Sequence, residues 1–233
     1  MNAERVRGAL TELALAFAGL VLGVVALVVV RSFGVALELS EFVAGPAITA
    51  IAAAFYVWAS RRAIGAPDPA AARTREDVGA AQIVLVTVLC ISLALGGSVA
   101  LGELLELLGV PVQEQTRILE IVEAAKRGED RGTLVVLGMS AVVLAPVAEE
   151  WLFRGALFRR LLAHVGRPFA YLASALGFAA IHNNPAGFVI YLWLGLVFAV
   201  ALDRTGRLAS PIAVHVANNA FAFALLLFGE PVL

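Results

Sequence analysis

Long apolar runs recur along the chain and limit its fold more than any other feature. A helix of about 20 predominantly apolar residues crosses the hydrocarbon core of a bilayer. Of the 233 residues, 61% are hydrophobic and 15% are charged, whereas a soluble domain has about 25% charged residues. We therefore predict an all-α, polytopic transmembrane helix bundle with about seven spans. The predicted spans are Leu10–Val30, Phe42–Ala59, Val78–Leu101, a fourth that starts at Thr133 and passes through Pro146, Phe169–His182, Ala186–Leu202 and Ala209–Phe228.

The charge and the cysteine content exclude further classes of protein. A net charge of -1 does not fit a nucleic-acid-binding surface, which needs clustered positive charge. The single cysteine, Cys90, excludes an internal disulfide framework and a cysteine-based zinc ribbon. Most arginines, such as Arg61 and Arg62 after the second span, fall in segments on the same side as the N-terminus. We therefore expect the N-terminus inside and the C-terminus outside.

The hydrophobic pattern changes between the third and fourth spans. Over residues 103–131, apolar residues recur at helical spacing on one face and charged residues occupy the other. This pattern predicts an amphipathic helix that lies at the outer interface and tethers two spans. Its apolar face holds Ile118, Ile121, Val122 and Ala125.

Polar residues within the predicted spans are concentrated in the second half of the chain. A charged side chain at mid-membrane costs about 2.5–3.5 kcal/mol on insertion scales, so each one marks a functional candidate. Spans one to three carry almost none, with Glu12 as the exception. We therefore divide one integrated membrane domain into two parts. Residues 1–132 hold spans one to three and the amphipathic segment, and residues 133–228 hold the functional core of spans four to seven.

Two adjacent glutamates in the fourth span are predicted to have different surroundings. On a helix, Glu150 and Arg154 are i, i+4 neighbours and form an ion pair that locks helix packing. Glu149 is turned about 100° away and has no partner in the local sequence. A buried carboxyl without a cation is suited to accept a proton from water near neutral pH. For Glu149 to reach other polar groups in the membrane, this helix must continue through Arg154 to about Leu162.

Two histidines and an asparagine are the remaining candidates. His182 ends the fifth span, where a histidine is as often a hydrogen-bonded interface residue as a functional one. His215 and Asn219 are i, i+4 and share one face of the last span. Such a pair either joins two helices through hydrogen bonds or donates to an oxyanion. Asn218 is expected on a different face.

Three short motifs in this region resemble those of a known family. Glu-Glu-x-x-x-Arg at Glu149–Arg154, Phe-x-x-x-His at Phe178–His182 and His-x-x-x-Asn at His215–Asn219 are similar to the three motifs of the CPBP intramembrane proteases. That family includes the type II CAAX prenyl endopeptidases and bacterial Abi or bacteriocin-processing homologues. The resemblance covers Thr133–Phe228 and makes it the catalytic core. It implies peptide hydrolysis in the plasma membrane of a prokaryote, on a peptide or a prenylated protein.

The resemblance also implies a role for each motif residue. Glu149 is the general base that activates water, and His182 assists it. His215 and Asn219 stabilise the oxyanion. Three further residues have supporting roles, namely Glu150, Arg154 and Phe178.

Cofactor use and two other functions stay open at this point. No cofactor is expected, but Glu149, His182 and His215 are an alternative set of Zn²⁺ ligands with an open fourth position. No His-Glu-x-x-His helix supports that alternative. A transporter or proton-coupled channel would spread polar residues over both halves and show an internal repeat, and neither feature is present in the sequence. An immunity or scaffold protein that keeps the family fold without turnover is the last alternative.

Overall fold

The structure is a computed structural model that describes residues 3–33, 40–63, 78–110 and 116–229. Eight helices account for most of these residues, and no strand occurs among them, which confirms the all-α prediction. The sequence Ala66-Pro67-Asp68-Pro69 predicts a loop on the inner side after the second span, and it lies outside the described residues. The helices are α1 (Ala3–Ser32), α2 (Ser40–Ala63), α3 (Ala80–Leu107), α4 (Thr116–Lys126), α5 (Arg131–Val165), α6 (Arg167–Ile181), α7 (Phe188–Thr205) and α8 (Ala209–Phe228).

Six of these helices, α1, α2, α3, α5, α7 and α8, are long and apolar enough to cross a membrane. The chain is therefore a polytopic membrane protein, as predicted. The predicted fifth span is α6, a shorter apolar helix of 15 residues. Its length of about 22 Å is less than the hydrocarbon thickness of about 30 Å. The expected seven spans thus correspond to six long helices and one short one, and the orientation of the bundle stays a prediction.

The third span is longer than predicted, and the amphipathic segment is correspondingly shorter. Helix α3 continues past Leu101 to Leu107, because leucine and glutamate in this stretch are strong helix formers. It ends before Gly109, whose φ of 74° places it in the left-handed region that suits glycine after a helix. The amphipathic helix is α4 alone. Its apolar side, with Val122 and Ala125 buried, packs against α5 and α8.

Helix α5 continues beyond Arg154 to Val165, which confirms the predicted continuation. It is not regular throughout, because π-helical turns occupy Ser140–Leu144 and Trp151–Phe158. The first turn has a local cause. Pro146 lacks an N–H, and its ring crowds the carbonyl four residues earlier, so the helix widens just before the proline. Turns of this kind occur frequently at functional sites.

Helix α6 ends inside the bundle. It starts after Gly166, at φ 78°, and ends at Ile181, where the chain leaves the helix until α7 begins at Phe188. The break contains Asn183 in a left-handed conformation with φ 46°. The short helix therefore brings the residue at its end, His182, into the interior of the bundle.

Candidate active site

Four predicted site residues from three helices converge in the bundle. Helix α5 supplies Glu149, the end of α6 supplies His182, and α8 supplies His215 and Asn219. The Glu149 Oε2 atom lies 4.0 Å from His182 Nε2 and 3.8 Å from His215 Nε2. Groups that are 33 and 66 residues from Glu149 in the sequence thus face the same carboxylate oxygen. The structure therefore brings the first and the last motif together around one point.

The predicted Glu150–Arg154 ion pair is present and fully buried. Arg154 Nη1 donates to Glu150 Oε1 at 3.0 Å, and both side chains are 0% exposed. Arg154 Nη2 donates to the carbonyl of Gly195 in α7 at 2.9 Å. The guanidinium also lies 4.5 Å from the centre of the Phe178 ring, a cation–π contact. The pair therefore joins α5 to α6 and α7, as expected of a structural pair.

The hydrogen bonds of the two histidines fix which ring nitrogen carries the proton. The ionised Glu150 carboxylate only accepts, so His215 Nδ1, 3.1 Å from Glu150 Oε1, must be the donor. By the same reasoning, His182 Nδ1 donates to the carbonyl of Phe178 at 2.8 Å. In their neutral forms, both rings therefore present an unprotonated Nε2 to Glu149.

The centre of the site is surrounded by acceptors that lack a donor. Glu149 Oε2 is buried and makes no hydrogen bond with any part of the chain that the structure describes. The gaps to His182 Nε2 and His215 Nε2 are too long for direct hydrogen bonds. Each group needs an O–H or N–H donor to be satisfied. A water molecule has two O–H groups and is chemically matched to this position.

Asn219 is tied to an irregular part of α5. In the first π-helical turn, the N–H of Ala145 bonds to the carbonyl of Ser140. The next residue, Pro146, has no N–H. The carbonyl of Ala141 is thus left without its usual helical donor, and Asn219 Nδ2 donates to it at 2.8 Å. One N–H of the Asn219 amide is used in this way, and the second stays available for another acceptor.

Three site residues of α7 had not been predicted from the sequence. The Tyr191 ring stacks on His182 at 4.0 Å, and the Phe198 ring stacks on His215 at 4.5 Å. The third is Gly195, whose carbonyl accepts from Arg154. These residues are spaced i, i+4 and i+7, so they share one face of α7. Because α7 is apolar as far as Leu202, the only signal for them in the sequence is two aromatic rings seven residues apart.

Two cavities open onto the site from different sides. The first, of about 320 Å³, lies beside Glu149 and His182 and is otherwise lined mainly by apolar residues of α1 and α2. The second, of about 340 Å³, lies beside His182, His215 and Asn219 and is bounded by α3, α7 and α8. Asn218 lines this second cavity. Asn218, expected on a different face of the helix from Asn219, thus reaches the same cavity, because neighbouring side chains at the mouth of a wide cavity can both line it.

The donor types at the site suit zinc, but their placement does not. Two imidazole nitrogens and a carboxylate form a set that zinc accepts at about 2.0–2.2 Å, which puts tetrahedral ligands about 3.3 Å apart. The observed separations from Glu149 Oε2 to the two Nε2 atoms are 4.0 and 3.8 Å. Within the described ranges, no group of three or more His, Cys, Asp or Glu side chains has the arrangement of a metal site.

Comparison with known proteins confirms the resemblance that the motifs predicted. Residues 131–221 match the family model described as "Type II CAAX prenyl endopeptidase Rce1-like". All four converging residues, Glu149, His182, His215 and Asn219, lie in this matched region. No solved structure matches the chain.

Two bacterial proteins each match this chain over a segment of similar length. "Membrane-embedded CAAX protease MroQ" of Staphylococcus aureus (strain USA300) is 33% identical over 85 residues, which is 34% of this chain and 34% of that protein. "Putative membrane peptidase YdiL" of Bacillus subtilis (strain 168) is 32% identical over 90 residues, which is 39% of this chain and 36% of that protein. The chain thus spans about a third of the length of each of these relatives.

Proposed function

We propose that this chain is an intramembrane endopeptidase that hydrolyses a peptide bond with a water molecule activated by Glu149. One observation carries the proposal: the buried Glu149 Oε2 has no hydrogen-bond partner among the described residues and faces two imidazole Nε2 atoms at 4.0 and 3.8 Å. The match of residues 131–221 to a CAAX prenyl endopeptidase family supports it. The relatives named as a CAAX protease and a membrane peptidase support the same class of reaction.

The first step is attack by water. Bound between Glu149 and His182, a water molecule donates one hydrogen to Glu149 Oε2 and the other to the unprotonated His182 Nε2. His182 is held in this orientation by its bond to the Phe178 carbonyl and by the Tyr191 ring. As the water oxygen bonds to the peptide carbonyl carbon, its proton passes to Glu149. The carbonyl oxygen then becomes the oxyanion of a tetrahedral intermediate.

The second requirement is stabilisation of the oxyanion. The N–H of Asn219 that Ala141 does not use is one donor. His215 Nδ1 already donates to Glu150, so its Nε2 donates only when the ring carries both protons. The ring takes up this second proton from solvent before the reaction and keeps it through the cycle. The Glu150 carboxylate, 3.1 Å from Nδ1, balances the positive charge of that form, as an aspartate does in a serine protease triad. His215 and Asn219 are thereby the two oxyanion donors.

The last step is release of the amine. The tetrahedral intermediate collapses, the C–N bond breaks and Glu149 returns its proton to the departing nitrogen. The products are a carboxylic acid, which keeps the second proton of the water, and an amine, and Glu149 is again ionised. Arg154 contributes indirectly, because it compensates the negative charge of Glu150. Of the two adjacent glutamates, Glu149 is therefore the one that exchanges a proton.

The test is turnover by the full-length chain reconstituted in liposomes with a pool of fluorogenic peptides, some of them prenylated at the C-terminus. We expect cleavage that persists after exhaustive chelation and products that mass spectrometry identifies as simple hydrolysis at one bond. Loss of cleavage on chelation, restored by zinc alone and accompanied by stoichiometric zinc in the active protein, would replace the water-only mechanism by the zinc alternative. Cleavage of only the prenylated members of the pool would identify a prenylated protein as the substrate.

A further inference from the structure

We propose that Ser98 of α3 and Asn218 of α8 bind the main chain of an extended peptide in the second cavity and so position the scissile bond against His215 and Asn219. The inference rests on the proposed hydrolysis and assigns its substrate-binding wall. Ser98, Asn218, Asn219 and His215 all line this cavity of about 340 Å³. Ser98 lies outside the region 131–221 that matches the family model.

Ser98 differs from the other hydroxyl residues of its helix. Thr87 and Ser92 each donate to the carbonyl four residues earlier, at 2.8 and 3.1 Å, which is how a hydroxyl in a membrane helix is normally satisfied. The Ser98 Oγ atom is buried and has no hydrogen-bond partner among the described residues. A buried hydroxyl without a partner is unfavourable unless a ligand or water satisfies it. Its place on the cavity wall makes a bound ligand the partner that fits.

Asn218 is the second polar group without a good partner. Its only hydrogen bond to any described residue runs from Nδ2 to Asn219 Oδ1 at 3.4 Å, beyond the usual range for an N–H···O bond. The amide thus has donors and an acceptor to offer in the cavity. Asn218 directly precedes the proposed oxyanion donor Asn219 in the sequence. A chain held by Asn218 is therefore held next to the reacting carbonyl.

The chemistry of the wall selects a peptide backbone. A hydroxyl and a primary amide each donate and accept, which matches the alternating N–H and C=O groups of an extended chain. The remaining lining is predominantly apolar and leaves room for apolar side chains rather than charged ones. The cavity volume lies near the lower end of the range for ligand sites, so it fits a short segment. The apolar lining comes from Val99, Ile190, Leu194, Phe221, Ala222 and Leu225.

The kinetic test uses Ser98→Ala and Asn218→Ala in the full-length chain, with a fluorogenic peptide of leucine and alanine residues that the wild-type chain cleaves. Loss of one neutral hydrogen bond to substrate should raise KM about threefold to tenfold, with kcat nearly unchanged. Ser98→Thr, which keeps the hydroxyl, should restore KM. The matched control is Ser92→Ala on the same helix, whose hydroxyl is satisfied within α3, and it should leave KM unchanged.

Stability separates substrate binding from a structural role. Because Ser98 Oγ bonds to no described residue, Ser98→Ala should leave the thermal midpoint in detergent unchanged or raise it. A lower midpoint together with an unchanged KM would overturn the inference. Loss of turnover in Glu149→Gln would show that the proposed hydrolysis holds. If KM then stays at the wild-type value in both Ser98→Ala and Asn218→Ala, the inference is overturned. If Glu149→Gln itself keeps full turnover, the proposed hydrolysis fails and the inference fails with it.

A second measurement identifies the main chain as the bound group. Peptides N-methylated at one residue at a time lose a single backbone N–H. At the position that faces Ser98 or Asn218, methylation should raise KM in the wild-type chain and cause no further increase in the matching alanine variant, which is the signature of a coupled pair. Additive losses at every position would mean that neither side chain touches the backbone and would overturn the inference.

Discussion

Helix α5 carries two buried clusters of charged groups, and they differ in how completely their polar atoms are satisfied. One cluster surrounds Glu12 of α1, which accepts from Arg160 Nε at 2.9 Å and lies 3.4 Å from His164 Nε2. Its other oxygen accepts from the hydroxyl of Tyr56 in α2. At the active-site cluster, one oxygen of Glu149 and one of Glu150 have no partner among the described residues. We call these the anchor cluster and the site cluster.

The difference separates a structural role from a chemical one. In the anchor cluster both carboxylate oxygens are bonded, and Arg160 also donates to the carbonyl of Ser60 at 3.3 Å. A buried network that is fully satisfied rigidifies the structure and has no position for a reactant. Here it joins α1 and α2 to α5. The site cluster is left incomplete, and its free acceptors can each take a hydrogen bond from a bound donor.

Conversion of each glutamate to glutamine gives the largest expected contrast. Glu149→Gln keeps the shape but cannot accept a proton, so turnover should fall about 10²–10⁴-fold while the thermal midpoint stays near that of the wild type. Glu12→Gln leaves Arg160 as an uncompensated buried charge, which should cost about 3–5 kcal/mol of stability without lowering turnover per folded molecule. Turnover in liposomes and thermal unfolding in detergent measure the two effects. A loss of turnover in folded Glu12→Gln equal to that of Glu149→Gln would remove the distinction between the clusters.

Replacement of whole ion pairs sharpens the same contrast. Arg154→Ala and Arg160→Ala should each destabilise the protein by about 3–5 kcal/mol, since each leaves a buried carboxylate uncompensated. Neutralising both partners should recover stability in either cluster. Glu12→Gln with Arg160→Met should then recover turnover as well. Glu150→Gln with Arg154→Met should not, because His215 has lost its charged partner.

Full turnover in the Glu150→Gln, Arg154→Met double variant would show that Glu150 acts only through folding. Thermal unfolding of the single and double variants, measured together with turnover, provides the comparison. Arg61→Ala is a suitable control, because Arg61 is an exposed charge at the end of α2. It should change neither quantity.

The two clusters also show what a sequence predicts and what it does not. The site cluster was predictable because Glu150–Arg154 and His215–Asn219 each lie within one helical turn, where spacing fixes the shared face. The anchor cluster was not, since Glu12 and Arg160 are 148 residues apart and only packing brings them together. In the sequence Glu12 is an isolated charge in the first span, and its partners belong to α2 and α5.

Local irregularities in the helices are a second limit on what the sequence predicts. The shortness of α6 and the π-helical turn before Pro146 decide how deep His182 lies and what Asn219 bonds to. An apolar pattern predicts that a helix exists but not that it stops inside the bundle. The stacking of Tyr191 on His182 likewise depends on the rotation of α7, which the apolar residues around Tyr191 do not specify.

Asn219 is the residue at which the structural and chemical roles meet, and a background mutation separates them. Asn219→Ala removes a proposed oxyanion donor, which should lower turnover about 10²–10³-fold. It also leaves the Ala141 carbonyl without its hydrogen-bond donor. In a Pro146→Ala background, residue 146 regains an N–H for the helix. The stability loss caused by Asn219→Ala should then shrink, whereas the loss of turnover should persist. If both losses disappear together in that background, Asn219 acts only on α5.

The smallest expected effect concerns Tyr191, whose ring stacks on the site residue His182. An aromatic contact contributes about 0.5–1.5 kcal/mol, so Tyr191→Leu should lower kcat by about tenfold or less while KM changes little. Tyr191→Phe keeps the ring that stacks on His182 at 4.0 Å and should restore kcat. A matched control is Phe55→Leu, because this aromatic residue of α2 contacts Trp58 instead of the site. Equal losses in Tyr191→Leu and Tyr191→Phe would assign the effect to the hydroxyl and not to stacking, and His182 would then owe its orientation to the Phe178 carbonyl alone.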